Sequence, residues 1–390
     1  MLRSRLLAYS ADIATKERDR ARAEADIGVA VALARSSGND DLLARILSDQ
    51  STVLLAFGDV AAAVASLEEQ LVMRERMHGA QHVNVAAIHA ALSRAYRRHG
   101  DVDKAERHIR AALEIDDAVL SKDDWRRARH LNALLALLHA RREYADALDA
   151  GVESLRINRI AYADDHPEIA SDLENIGKLY LLLDRPADAV DPLRDALTRS
   201  ASQFGPDHAE TAATRASYGD ALARSGDLAA GDAELRRAIA ALEADAQPDA
   251  DQIAATCERL ARIYLDRGDA ARGLPLVDRI DVLLAQLKST DAYWDGRAAT
   301  LRAHAALLQS QTVQARDLLA TAAASLAASK NPDAVLSVEV PLLQAHAAGR
   351  LGDIAAQRMQ ARAGIAQLAT LRHPPSRLAR LAQSLPAADG

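Results

Sequence analysis

Small apolar and polar positions recur along the chain with a spacing of 42 residues. Gly-Asp pairs begin at positions 58, 100, 226, 268 and 352, and the differences between them are all multiples of 42. At the same spacing, Arg142, Asp184 and Ser310 occupy the glycine position in segments of the same layout. A small residue lies five positions after and seven positions before nearly every one of these turns. Chance does not keep one register over most of a chain, so the pattern predicts a repeated structural unit.

Each unit is predicted to be a helix, a tight turn and a second helix. Glycine ends a helix easily because it adopts positive φ without steric cost. The aspartate that follows can cap the next helix by accepting hydrogen bonds from its free N–H groups. The small residues seven before and five after the turn mark the place where the two helices cross. Tyr96, Tyr180 and Tyr264, four residues before a turn, are interpreted as packing residues beside that crossing.

The order of small residue, aromatic residue, glycine, alanine and Ala-Leu resembles the tetratricopeptide repeat (TPR). The 42-residue length and the segments "DDHPEIASDLENIGKLY" and "FGPDHAETAATRASYGD" are similar to the kinesin-light-chain-like class of TPR found in bacterial proteins. The resemblance implies an all-α fold, a right-handed α-solenoid superhelix of about eight to nine helix-turn-helix repeats. It also implies that His82, His166 and His208 open the first helix of their units.

The repeat divides the chain into three predicted regions. Residues 1–39 form a degenerate N-terminal repeat or cap, whose turn the period places at Lys16. Residues 40–372 form an array of eight units with turns near 58, 100, 142, 184, 226, 268, 310 and 352. Residues 373–390 form a C-terminal cap and tail. We interpret segment 246–252 as a turn between repeats, without a domain boundary.

Composition and charge reduce the number of functional classes to which the protein could belong. The net charge of −7 and only 12 Phe, Trp and Tyr residues argue against a nucleic-acid-binding protein. The chain has no apolar run long enough to span a membrane, and its N-terminus is a poor signal peptide. A single cysteine excludes an intrachain disulfide and a cysteine metal cluster. We therefore expect a soluble, cytoplasmic, helical protein with no membrane or nucleic-acid partner.

No catalytic or cofactor-binding signature is present in the sequence. The motifs of metalloproteases, dinucleotide-binding folds, P-loop enzymes, serine hydrolases and kinases are all absent. The histidines are dispersed and form no metal-ligand set, and Cys257 is interpreted as a small buried residue. The sequence therefore predicts neither enzyme activity nor a metal or cofactor, although an enzyme whose catalytic domain lies elsewhere stays open.

The family resemblance places groove-facing side chains 13, 10, 6, 3 and 2 residues before each turn. Those 40 positions hold ten basic and five acidic residues, whereas about five basic residues are expected from the overall composition. The partner-binding groove is predicted to include these residues: Arg45, Arg94, Arg97, Arg98, Arg129, Asn132, His139, Lys178, Arg224 and Arg262. Within this set, Arg94, Arg97, Arg98 and Arg129 could form a clamp for the carboxylates of an acidic peptide or for phosphate.

Several interpretations of these basic residues stay open. The arginines could simply be exposed helix positions that favour helicity and solubility. If they bind a ligand, the leading hypothesis is a non-catalytic scaffold that holds an acidic segment of a protein partner. The alternative is a peptide- or ligand-sensing region of a larger signalling protein, such as a kinase or transcription regulator. Self-association through the terminal repeats is a further open alternative.

Overall fold

The protein is built from antiparallel helical hairpins. The computed structural model describes residues 1–287, 292–329 and 333–386, and all regular secondary structure within those ranges is α-helical. The helices are α1 Leu2–Lys16, α2 Arg20–Ser36, α3 Asp40–Ala56, α4 Val60–His78, α5 Val83–His99, α6 Val102–Val119, α7 Trp125–Ala140, α8 Tyr144–Ala161, α9 Pro167–Leu182, α10 Pro186–Phe204, α11 Ala209–Ser225, α12 Leu228–Ala244, α13 Ala250–Asp266, α14 Ala270–Leu287, α15 Ala292–Leu308, α16 Thr312–Ala328, α17 Ala334–Arg350, α18 Ile354–Leu368 and α19 Ser376–Gln383. The predicted all-α repeat fold is confirmed.

The hairpins belong to two compact units. Unit 1 spans Met1–Asp164 and contains α1–α8, and unit 2 spans Asp165–Gly390 and contains α9–α19. Within each unit, the second helix of one hairpin packs against the first helix of the next. In unit 2 the first helices α9, α11, α13, α15 and α17 also contact one another in sequence. The first helices therefore line the inner wall of that unit, as in stacked αα-hairpins generally.

A left-handed backbone conformation forms the turn inside each hairpin. Positive φ occurs at the five Gly-Asp glycines and also at Arg142 (φ 60°), Asp184 (φ 57°) and Ser310 (φ 62°). These three residues adopt the strained conformation although they carry a Cβ atom. The turns from Gly58 to Gly352 thus follow the 42-residue spacing whether or not glycine is present.

Side-chain caps stabilise the N-termini of several helices before and after these turns, whereas α8, α10 and α16, which follow the turns without glycine, have none. The carboxylates of Asp59, Asp101 and Asp227 accept hydrogen bonds from backbone N–H groups three residues ahead, at 3.2, 3.1 and 3.0 Å. The imidazole Nδ1 atoms of His166 and His208 accept from backbone N–H groups two residues ahead, at 3.3 and 3.2 Å. His82 caps α5 in the same way. The predicted roles of the aspartates and histidines are confirmed.

The helix crossings are as tight as the small residues predict. Ala105 and Ala189, five residues after a turn, are fully buried. A Cβ atom added to Gly177, seven residues before a turn, would lie 2.4 Å from Cγ of Leu193, which is itself fully buried. Close packing of this kind leaves no space for an added methyl group. The small residues therefore set the distance between the two helices of a hairpin.

Two of the three predicted packing tyrosines are buried and use their hydroxyl groups to bridge helices. Tyr264 is fully buried and its hydroxyl donates to Asp232 on α12. The hydroxyl of Tyr96 donates to Oε1 of Glu68 on α4 at 2.8 Å. Desolvation of the hydroxyl group and, to a smaller extent, its hydrogen bond to Glu68 raise the pKa of Tyr96 to about 12. Tyr180 is half-buried against the cluster that contains Leu181 and Leu193.

The first hairpin corrects one prediction. The 42-residue period places a turn at Lys16, but Lys16 lies within α1, and the residue with positive φ is Arg18 (φ 61°). Counting from Arg18, the small residues seven before, five after and twelve after the turn are Ala11, Ala23 and Ala30, all fully buried. The hairpin α1–α2 therefore follows the repeat pattern. Its turn lies 40 residues before Gly58 because α2 and the three residues that join it to α3 are together shorter than α4 and the four residues that join it to α5.

Candidate peptide-binding groove

The groove-facing positions of unit 1 carry charge of one sign. The 15 positions on α3, α5 and α7 include five arginines and no acidic residue. These arginines are Arg45, Arg94, Arg97, Arg98 and Arg129. Because α5 and α7 are in contact, their arginines are brought to one surface. The structure therefore groups most of the predicted basic residues of this unit.

Arg94, Arg97 and Arg129 form the centre of this surface. Arg94 and Arg129 are exposed and Arg97 is half-buried. In the part of the chain that the structure describes, no carboxylate forms an ion pair with any of the three. The pKa of Arg94 is lower than its ordinary value. The larger cause is desolvation by nearby protein atoms, and the smaller cause is repulsion by the charges of Arg129 and Arg97. The three side chains are called here the arginine cluster, and Arg94 is repelled by the charges of the other two.

An aromatic side chain supports one edge of the arginine cluster. The guanidinium carbon of Arg129 lies 5.7 Å from the centre of the Trp125 ring, and Trp125 is 40% exposed. Stacking on an aromatic ring orients a guanidinium and leaves its N–H groups available to a carboxylate or phosphate. Trp125 opens α7, whose N-terminus is capped by Asp124. The cap and the ring together position Arg129 at the edge of the groove.

Arg98 differs from the arginine cluster because it already has a structural partner. Its guanidinium donates to the carbonyl oxygen of Leu55 at 3.1 Å, and Leu55 is near the C-terminus of α3. Arg224 makes the equivalent bond to Leu181 at 3.1 Å, and Arg350 makes it to Leu307. In all three cases an arginine two residues before one turn satisfies a carbonyl three residues before the preceding turn. These arginines therefore connect successive repeats and satisfy helix-end carbonyls.

The remaining predicted residues of unit 1 lie on α3 and α7. Arg45 lies on α3 and pairs with Asp41 at 3.2 Å, where both side chains are exposed. Asn132 is half-buried on α7. His139 is exposed near the end of the same helix, with its ring centre 5.7 Å from that of Tyr144. An exposed ion pair such as Arg45–Asp41 contributes little stability, so a ligand could displace it easily.

In unit 2 the predicted basic residues are paired with acidic ones. The 25 groove-facing positions there hold five basic and five acidic residues. Lys178 binds Glu174 at 2.6 Å, and Arg224 binds Asp184 at 2.8 Å and Asp220 at 3.4 Å. Lys178 and Arg224 therefore neutralise their own neighbours. This pairing is the main difference between the groove-facing positions of the two units.

Arg262 belongs to a buried ionic network. Its guanidinium contacts Glu339 at 2.7 Å and Glu258 at 3.1 Å, and Glu339 is only 1% exposed. Arg377 also contacts Glu339, at 2.8 Å. Burial alone would raise the pKa of Glu339, but the charges of Arg262 and Arg377 outweigh it and lower that pKa. Arg262 therefore holds a buried carboxylate that would otherwise be costly.

The structure also locates the residues considered for chemistry. Cys257 is fully buried on α13, and burial raises the pKa of its thiol to about 11. A thiol with this pKa is a poor nucleophile at neutral pH. Among the described residues, no three His, Cys, Asp or Glu side chains gather where they could hold a metal ion. No helix in the described ranges has the length and apolar character needed to cross a membrane.

Comparison with known proteins identifies the repeat. A family model for the tetratricopeptide repeat matches residues 42–118 and 126–202. Both matched segments are tetratricopeptide repeats. The family prediction from the 42-residue pattern is therefore confirmed. A comparison with curated protein sequences finds no match.

Solved structures resemble this chain at low sequence identity, and two of them share its fold with TM-scores above 0.5. The apo form of RapI has a TM-score of 0.66 and 11% identity, covering 93% of this chain and 97% of that one. NprR in complex with its cognate peptide NprX has a TM-score of 0.53 and 14% identity, covering 75% of this chain and 81% of that one. A putative kinesin light chain from Podosopora anserina, with nearly identical TPR-like repeats, has a TM-score of 0.46 and 18% identity, covering 50% and 93%.

Two features of the TPR groove were not predicted from the sequence. One is the ionic network of unit 2, which joins residues 77 positions apart in the case of Arg262 and Glu339. The other is the position of α19, whose Ser376 N–H donates to Asp184 at a separation of 192 residues. Both depend on how the repeats of unit 2 curve, and no local sequence pattern reports curvature. The sequence signal that points to this difference is that all five acidic groove-facing positions lie after residue 165.

Proposed function

We propose that this TPR protein is a non-catalytic, cytoplasmic scaffold that binds an acidic peptide segment of a partner protein. The binding surface is the arginine cluster Arg94, Arg97 and Arg129 on α5 and α7. Arg45, Arg98, Asn132 and His139 flank it, and a ligand would meet Trp125 at its edge. Lys178, Arg224 and Arg262 belong to the same predicted groove set, but their intramolecular partners make them secondary contributors.

The observation that carries this proposal is the lack of counter-charge at the arginine cluster. Elsewhere in the described part of the chain, most groove-facing cations have a carboxylate or carbonyl partner. Like charges that repel one another destabilise a folded chain, and a ligand that supplies carboxylates would remove that cost. Arginine also matches carboxylate geometry with two parallel hydrogen bonds. An acidic peptide therefore fits the cluster better than a neutral or basic one.

The fold comparison supports a peptide ligand. NprR, which has the same fold over three quarters of this chain, was solved with its cognate peptide. The similarity also favours a second function, in which peptide binding regulates an effector region of a longer signalling protein. In that case an acidic peptide would change hydrogen exchange in helices beyond α5, α7 and their neighbours. Simple scaffold binding would confine the change to α5, α7 and their neighbours.

A randomised peptide library tests the acidic ligand directly. We expect the wild-type chain to enrich peptides rich in Asp and Glu, and the R94E/R97E/R129E variant to lose them. The matched control is R76E/R107E/R110E, which makes the same change in net charge on exposed residues of the second helices α4 and α6. The control should keep the wild-type selection. Equal selection by both triple variants, or no acidic enrichment by the wild type, would refute the assignment of the groove.

A further inference from the structure

The C-terminal helix α19 contacts groove-facing positions of unit 2. Arg377 donates two hydrogen bonds to Glu339, at 2.8 and 3.1 Å. His346 lies 3.2 Å from the carbonyl oxygen of Leu381 and 3.2 Å from Oγ of Ser384. Glu339 and His346 are 13 and 6 residues before the turn at Gly352, which are groove-facing positions. The polar side of α19 therefore faces the surface where a TPR unit would meet a ligand.

The N-terminal end of α19 reaches a distant repeat of the same unit. The backbone N–H of Ser376 donates to the Asp184 carboxylate at 2.8 Å, and Asp184 forms the turn between α9 and α10. Burial would raise the pKa of Asp184, but hydrogen bonds from Ser376 and Arg224 outweigh it and lower that pKa. A carboxylate at a helix N-terminus also interacts favourably with the helix dipole. A helix that only covered the last hairpin would not need this contact.

The anchor of α19 is a preformed ionic pocket. Glu339 is buried and shared between Arg262 of α13 and Arg377 of α19, so one of its two cations comes from the helix that docks there. Arg262 is itself held by Glu258, which also binds Arg297. The pocket therefore persists when Arg377 leaves, with Glu339 still paired to Arg262 and able to accept another guanidinium.

The apolar side of α19 packs on the last hairpins of unit 2, where Leu381 and Ala382 are partly buried. Leu378 and Leu385 are buried in a cluster with Val338, Leu342 and Ala361 of the last hairpin. The helix itself has eight residues, a length at which an isolated helix is not stable in water. It follows a segment that contains Pro374 and Pro375. Docking onto unit 2 therefore supplies most of the stability of α19, and a similar helix could replace it.

We propose that the groove of unit 2 is a binding site for a short amphipathic helix that presents an arginine to Glu339, and that α19 is its exchangeable intramolecular occupant. The ligand class is a partner helix with an N-terminal N–H group for Asp184, an arginine at its second residue and leucines on one face. This ligand is opposite in charge to the one proposed for unit 1. The inference is therefore independent of the acidic-peptide site.

A labelled peptide of residues 372–386 tests the exchange in the full-length chain. In the wild type, tethered α19 competes at high effective concentration, so we expect weak binding. The R377E variant should release α19 and bind the labelled peptide about a hundredfold more tightly than the wild type, in line with loss of a buried charge pair. R380E is the matched control, because exposed Arg380 has its hydrogen bond, among the described residues, with Ser376 of its own helix. It should behave like the wild type.

Substitutions in the labelled peptide provide the second half of the test. A peptide with R377E should fail to bind the R377E chain, whereas a peptide with R380E should bind it nearly as well as the unaltered peptide. If R377E does not fold, a protease site introduced at Arg372 allows α19 to be cut after folding, and the cut chain takes its place. A folded R377E or cut chain that does not bind the peptide would overturn the proposal and make α19 a permanent cap.

Discussion

At the scale of single residues, the same amino acid has opposite effects at two positions of this array. Gly177 lies at a helix crossing, where an added Cβ would meet buried Leu193 at 2.4 Å. Gly28 lies inside α2, where an added Cβ meets nothing within 4 Å. Helix propensity favours alanine equally at both positions. Any difference between the two substitutions in their effect on stability is therefore due to packing at the helix crossing.

We predict that Gly177→Ala destabilises the protein by about 1–3 kcal/mol, because overpacking forces a buried side chain to move. Gly28→Ala should stabilise it by about 0.5–1 kcal/mol, because alanine loses less backbone entropy in a helix. Urea unfolding followed by circular dichroism measures both changes. Shifts of the same sign for the two variants would show that Gly177 is not at a close helix contact.

At the scale of elements, the turns within the hairpins show which parts of the fold could be predicted from the sequence and which could not. The spacing of Gly-Asp pairs located the turns because each pair has a direct structural cause, a positive φ followed by a helix cap. The turn at Arg18 was misplaced because a fixed period assumes that each second helix and the loop after it have a constant combined length, and α2 with its three-residue loop is shorter than α4 with its four-residue loop. The buried alanines Ala11, Ala23 and Ala30 carry the correct register. The packing pattern is thus a better guide than the period where helix lengths vary.

The turns without glycine give a second prediction. Arg142 is exposed and adopts φ 60°, so Arg142→Gly should relieve strain and stabilise the protein by about 1 kcal/mol. Asp184 has φ 57°, but its carboxylate binds Arg224 and the N–H of Ser376. Asp184→Gly should therefore gain less than Arg142→Gly, or lose stability. Thermal melts of the two variants compare them, and equal stabilisation would mean that the Asp184 contacts contribute nothing.

At the scale of the molecule, the two units differ in the charge of their groove-facing positions, and the overall composition does not reveal this difference. A net charge of −7 suggests an acidic surface throughout. The charged groove-facing residues of unit 1 are nevertheless all basic, whereas those of unit 2 are balanced between basic and acidic. The sequence predicted the basic excess because it follows from counting positions. It could not predict which cations were neutralised, because partners such as Arg262 and Glu339 are brought together only by the tertiary fold.

Uncompensated charge at a binding surface should cost stability, and this gives the third prediction. Arg94→Gln removes a guanidinium that Arg97 and Arg129 repel, so it should stabilise the protein by roughly 0.2–1 kcal/mol at low ionic strength. Arg141→Gln is the control, because Arg141 contacts Glu106 at 2.5 Å and Glu143 at 3.1 Å and its loss should be destabilising. Melting temperatures at low and high salt separate the cases, since screening should shrink the effect of Arg94→Gln. Destabilisation by Arg94→Gln would mean that the arginine cluster has a structural role, and the reason to assign it a ligand would be lost.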